Sequence, residues 1–265
     1  MIIGQEKICN LVDNSTIDTF PQTLMLVGSE GSGKHLICNY IAKKFNLTIL
    51  DITDTLDQET IELIYDRVEP YIYTININSI SVKEENAILK FLEEPLRNSY
   101  IILLAETELG ILQTIINRCQ IWYLQNYKKE FLQTFITNDN QYVLEIAETP
   151  GQVIKLCDCK LEDMISLADK IIDKIDIAGI ANTLTISKNI SFKDESDKFD
   201  LKLFVNILLS RITKKYQTCF DNRYASAYLL TNELSKNLRS KNLDHRCLFE
   251  KYLIDLRNIM RGNLL

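Results

Sequence analysis

Apolar positions follow two rhythms along this chain. In the first half, short unbroken runs alternate with stretches of helical spacing. Thr23-Leu24-Met25-Leu26-Val27 has the length and continuity of a buried strand, and the pattern after it predicts a helix from Lys34 to about Phe45. Leu47-Thr48-Ile49-Leu50 predicts a second strand, and Gln58 to Arg67 a helix. Tyr71-Ile72-Tyr73-Thr74-Ile75 is rich in β-formers. A helix from about Val82 to Glu93 follows, stopped by Pro95. Tyr100 to Leu104 and Gln120 to Leu124 complete the strands. Strands that alternate with helices imply a parallel sheet, and continuous apolar strands imply a sheet covered on both faces.

After about Asn126 the strand rhythm gives way to a helical one. Thr149-Pro150-Gly151 predicts the entry to a short helix running through Lys155 and Leu156, and beyond Leu161 the spacing is helical almost to the end. Leu201, Phe204, Leu208 and Ile212 share one face, as do Leu248, Tyr252, Leu256 and Ile259. Residues 191–198 are charged and predict a surface loop between helices. The expected fold is thus α/β. A P-loop-type parallel-sheet domain spans 1–125, a small helical lid 126–165, and a C-terminal helical domain 166–265.

Composition narrows the function classes. At 265 residues the chain exceeds one small core. Its 46% apolar and 25% charged residues are ordinary for a globular protein. A formal net charge of -6 argues against coating nucleic acid by bulk charge. No apolar run reaches the roughly 18 residues of a membrane span, and the start MIIGQEKICN lacks a signal-peptide pattern, so the expected location is cytoplasmic, with no membrane partner. Seven scattered cysteines, with Cys157 and Cys159 as the sole close pair, predict reduced and mostly buried thiols and no metal site.

The candidate chemistry sits at Gly28-Ser29-Glu30-Gly31-Ser32-Gly33-Lys34, the G-x-x-x-x-G-K pattern between a strand and a helix. Such glycines let backbone N–H groups turn toward phosphate oxygens, and the helix N-terminus adds partial positive charge. Gly28, Gly31, Ser32, Gly33 and Lys34 are the candidate phosphate-binding residues. His35 stands where a magnesium-binding Ser or Thr is needed, and imidazole is a poor magnesium ligand, so His35 reads as a packing or surface residue. The segment Tyr73-Thr74-Ile75-Asn76-Ile77-Asn78-Ser79 carries no carboxylate, although a metal-handling acid belongs at that strand end. ATP or ADP binding through the loop stays open, whereas hydrolysis should be negligible. No cofactor is required by these residues.

Residues 86–95, NAILKFLEEP, resemble a stretch of the bacterial DNA polymerase III clamp-loader subunits. Asn117-Arg118-Cys119 is similar to the Ser-Arg-Cys motif of that AAA+ family, with Asn117 in place of Ser. Gly4-Gln5, the P-loop and Pro150-Gly151-Gln152 fall in the family's order, and the resemblance covers about 1–160. Within the family the chain is most similar to the delta-prime type of subunit, which often has a degenerate nucleotide site. The resemblance implies that Arg118 is an arginine finger acting in trans on a neighbouring subunit. It also implies that the C-terminal helices form an oligomerisation collar. The implied partners are the motor subunits and a delta-like subunit, with the sliding clamp and primer–template DNA reached through the assembly. The family's sensing arginine is missing from Gly151-Gln152-Val153-Ile154, and Phe45 leads so directly to Leu47 that the family's zinc module has no room. Glu93 and Glu94 are assigned no catalytic role. Arg211, Lys214, Lys215, Arg239 and Lys241 read as ordinary exposed charge. Two alternatives stay open: an autonomous P-loop NTPase, and a non-catalytic AAA+ adaptor outside replication.

Overall fold

The computed structural model describes residues 2–56, 58–65, 67, 69–93, 99–137, 142–157, 159, 161–179, 182, 185, 200–238 and 244–262. Glu94, Pro95, Arg239, Lys241 and the loop 191–198 therefore lie outside the described residues. The chain divides into two compact units, one of Met1–Asn140 with Ala147–Cys157, the other of Gln141–Ile146 with Asp158–Leu265.

The first unit is built on strands β1 (Thr23–Val27), β2 (Thr48–Asp51), β3 (Tyr71–Asn76), β4 (Tyr100–Ala105) and β5 (Gln120–Tyr123). All paired neighbours are parallel, in the order β2-β3-β4-β1-β5. Side chains of a strand alternate between faces, and the core divides accordingly. Met25, Val27, Tyr73, Ile75, Ile101 and Leu103 enter one cluster; Leu24, Leu26, Ile72, Ile102 and Leu104 enter the other. Helices cover both faces. On the first lie α3 (Gln58–Tyr65), α4 (Val82–Glu93) and the single turn α5 (Gln113–Ile116), through Ile61, Ile64, Ile88, Phe91, Leu92 and Ile115. On the second lie α1 (Glu6–Asn14) and α2 (Lys34–Phe45), through Ile8, Cys9, Val12, Ile37, Cys38 and Ile41. This is the covered parallel sheet that the apolar runs imply. Val82, the apolar residue that opens α4, is exposed, because the buried stripe of the helix runs through Glu85, Ile88, Phe91 and Leu92. The short helices α6 (Lys129–Gln133) and α8 (Pro150–Cys157) complete this unit.

The second unit contains α7 (Val143–Ile146), α9 (Leu161–Lys174), α10 (Leu201–Cys219), α11 (Asn222–Asn237) and α12 (His245–Met260). Each of the last three is opened by an aspartate whose carboxylate accepts from first-turn N–H groups: Asp200 from Leu203, Asp221 from Arg223, Asp244 from Arg246 and Cys247. Leu201, Phe204, Leu208 and Ile212 are all buried, as their spacing predicts. On α12 the buried stripe is rotated by about one residue from the predicted one. Phe249, Tyr252, Leu253, Leu256 and Met260 are buried, while Leu248 and Ile259 are only half-buried. Aromatic packing sets that rotation: the Phe249 ring lies 5.8 Å from Tyr252 and 6.1 Å from Phe204. The Tyr252 hydroxyl is 2.9 Å from Thr231 Oγ1, so neither buried hydroxyl is stranded.

Arg211, Lys214 and Lys215 of α10 belong to ion pairs across the helices. Arg211 donates to both carboxylate oxygens of Asp169 at 2.7 and 2.9 Å, Lys215 pairs with Asp173 at 2.7 Å, and Lys214 pairs with Glu145. The thiols depart from expectation. None of the seven is in a disulfide, but Cys219 and Cys247 are exposed, Cys119 and Cys159 are half-buried, and only Cys9, Cys38 and Cys157 are buried. Among the described residues no helix is long and apolar enough to cross a membrane.

Candidate functional site

The P-loop joins the C-terminal end of β1 to α2. Gly28 N donates to Ala105 O at 3.0 Å, and Gly33, with φ 97°, precedes the first turn of α2. Gly31 has φ 75°, a conformation that L side chains avoid. Gly31 and Gly151 meet backbone to backbone. A β-carbon at 31 would lie 2.8 Å from Gly151 Cα, and one at 151 would lie 2.5 Å from Gly31 Cα.

Five consecutive loop carbonyls accept hydrogen bonds from within this unit. Lys34 Nζ donates to Gly28 O at 2.5 Å and Ser29 O at 3.1 Å. Thr149 Oγ1 donates to Glu30 O at 2.7 Å, Gly151 N to Gly31 O at 3.1 Å, and Tyr127 Oη to Ser32 O at 2.7 Å. The N-terminal end of α8 is thereby sewn to the loop apex, which explains why 147–157 groups with the sheet. Gln5, fully buried, anchors the chain beneath: its amide donates to Gln125 O at 2.9 Å and accepts from Gln125 N at 2.8 Å.

Burial holds the Lys34 amine below its usual pKa, and the nearby carboxylates of Glu106 and Glu30 partly offset this. A cavity of about 220 Å³ beside the loop is lined by Gly28, Ser29, Ser32, Glu106, Glu148 and Thr149, among others. It is smaller than the roughly 300–1,000 Å³ of small-molecule sites. The Ser32 hydroxyl, 3% exposed, has no hydrogen-bond partner. His35 is exposed on the first turn of α2. Asn76 and Asn78 are absorbed by the turn after β3: Asn78 N donates to Asn76 Oδ1 at 3.3 Å, and Asn78 Oδ1 accepts from Glu106 N at 2.7 Å. Among the described residues no group of three or more His, Cys, Asp or Glu side chains is arranged to hold a metal.

Glu106 escapes a reading of the sequence that looks for an acid only at the end of β3. It follows β4, and β4 neighbours β1 in the sheet. The strand order brings it to the loop, and nothing in the local sequence signals that order.

Arg118 lies at the opposite end of the sheet. It precedes β5, and its carbonyl accepts from Thr23 Oγ1 at the start of β1, at 2.5 Å. The guanidinium donates from Nη1 to Thr114 O at 2.7 Å and from Nη2 to Glu93 Oε1 at 2.5 Å, and the side chain is 34% exposed. Glu93 is the last residue of α4. The structure therefore joins two motifs that stand 25 residues apart. Burial pushes the neighbouring Cys119 thiol up to about 12, so it is no nucleophile at neutral pH.

Residues 67–128 match the family described as DNA polymerase III, delta subunit. A 77-residue stretch, 28% of this chain, is 34% identical to the DNA polymerase III subunit delta' of Haemophilus influenzae. That stretch spans about a quarter of the relative's own length, 24%. A crystal structure of a DNA polymerase III gamma subunit-related protein from Thermotoga maritima superposes over 97% of this chain and 100% of that one, at 16% identity and a TM-score of 0.46. The matched segment runs from β3 through Arg118 to the end of β5, and over it the chain is similar to DNA polymerase III delta-type subunits.

Proposed function

We propose that this chain is a delta-prime-like clamp-loader subunit of DNA polymerase III. In this reading it is a structural arm whose own P-loop is catalytically silent. It supplies Arg118 in trans to the ATP site of a neighbouring subunit while a sliding clamp is loaded onto primed DNA. The observation that carries the reading is the separation of Lys34 and Arg118. They lie beyond opposite ends of β1, a five-residue strand about 13 Å long. That span exceeds the reach of an arginine side chain, so Arg118 has no route to its own P-loop.

The residues around that P-loop do not fit a magnesium–nucleotide complex. His35 offers no hard oxygen, Lys34 is occupied by loop carbonyls, and Glu106 and Glu148 would face the phosphates. A partner's ATP site, in contrast, would gain from a guanidinium, because charge builds on the phosphoryl oxygens in the transition state. The proposed partners are motor subunits and a delta-like subunit. The second unit's helices provide the collar, with the three-part division at 126 and 166 as the functional plan.

The test is reconstitution with motor subunits. Arg118→Ala should assemble normally but slow turnover at the site it serves by about 10³-fold or more. Turnover at the wild-type rate would overturn the finger. The autonomous-NTPase reading draws on Glu106 as a displaced carboxylate beside Lys34. It requires the isolated chain to turn over ATP and to lose that activity in Lys34→Ala.

A further inference from the structure

We infer that Glu93 is the positioning residue of Arg118, so that α4 and the Asn117-Arg118-Cys119 segment work as one device. The inference rests on the finger reading above.

Helix α4 holds the arginine-bearing segment at both of its ends. Near the start of α4, Glu85 is buried and its Oε2 accepts from Leu112 N at 3.2 Å, the N–H that leads into α5. At the helix end, Glu93 Oε1 accepts from Arg118 Nη2 just beyond α5. Phe91 and Leu92, beside Glu93, are buried in the sheet core, so the carboxylate sits on a fixed support. Thr114 O takes Nη1 at 2.7 Å and fixes the plane of the guanidinium.

An arginine carries five N–H donors, and these bonds use only two of them. The side chain remains one-third exposed. A long flexible side chain must lose rotamer freedom before it can aim at a phosphate. Glu93 and Thr114 O remove that freedom in advance, which is how preorganised charge gains its catalytic effect. Glu93 itself is half-exposed and touches no reacting atom, so its role is positioning.

The experiment measures ATP turnover of the assembled complex with Glu93→Ala, Glu93→Gln, Arg118→Ala and the double variant. Glu93→Ala should lower kcat by roughly 10–100-fold, the scale of a misplaced group, with KM for ATP little changed. Glu93→Gln keeps an Oε1 acceptor and should recover part of that loss. The double variant should be no slower than Arg118→Ala alone, a result that a merely structural role for Glu93 would not give. Wild-type or raised turnover in Glu93→Ala, beside a slow Arg118→Ala, overturns this inference and leaves the finger standing. Wild-type turnover in Arg118→Ala removes the finger and this inference with it. Should Glu93→Ala fail to assemble, Glu93→Gln carries the test: reduced kcat at unchanged KM supports the positioning role, and the wild-type rate overturns it.

Discussion

The two ends of β1 use a basic side chain in opposite ways. At the C-terminal end Lys34 is folded back onto Gly28 O and Ser29 O, in a loop whose next three carbonyls are also satisfied from within the unit. At the N-terminal end Arg118 is fixed by one carbonyl and one carboxylate, and a third of its side chain faces solvent. A cation consumed by its own loop is a part of the scaffold. A cation that is held firmly yet keeps donors at the surface is equipped to act on another molecule. In the proposed function, accordingly, the P-loop serves the fold and the arginine is the acting group.

The sharpest break of this contrast is a double dissociation in the assembled complex. Arg118→Ala should cost orders of magnitude in turnover, equivalent to at least about 4 kcal/mol at the barrier. Lys34→Ala in this chain should leave turnover near the wild-type rate. The reverse pattern would return the catalytic role to the P-loop.

Next in size is the clasp between the loop and α8. In Gly151→Ala the new β-carbon would lie 2.5 Å from Gly31 Cα, a backbone atom with no side chain to swing aside. Overpacking of this kind costs about 1–3 kcal/mol. A fall in Tm on the order of 5–10 °C should follow, seen by differential scanning calorimetry. An unchanged Tm would mean that α8 is not sewn to the loop. Tyr127→Phe should be milder. It removes the donor to Ser32 O, worth about 1 kcal/mol, and leaves the ring stacked on Phe131.

The strands and the larger helices were legible because continuous apolar runs and helical spacing are local signals. α2 and α4 begin and end where the pattern puts them. The features that were not legible arise from tertiary contact. The exposed Val82 and the rotated stripe of α12 follow from which neighbours the helices meet, and Phe249 is claimed by aromatic partners on α10 and on its own helix. Glu106 reaches the P-loop only because β4 lies beside β1. Glu93 reads only as the end of a helix, with no catalytic role, until Arg118 is placed against it. Gly151 reads as a helix-entry residue until Gly31 is found at its Cα.

The smallest expected effect concerns the charge of Lys34. Its folded pKa lies below the ordinary 10.5, chiefly because burial disfavours the charged form. The unfolded chain then binds more protons than the folded one over the window between the two pKa values. Stability linked to this group therefore increases as pH rises through that alkaline window and is lost as pH falls through the folded pKa. Lys34→Met lacks the titration. The wild-type chain should thus gain stability relative to Lys34→Met as pH is raised from 7 toward 10.5, measured as the difference in Tm between the two at each pH. A pH-independent difference would mean that the amine is not desolvated in the folded chain and so has not been absorbed into the loop. The contrast with Arg118 would then lose half of its physical basis.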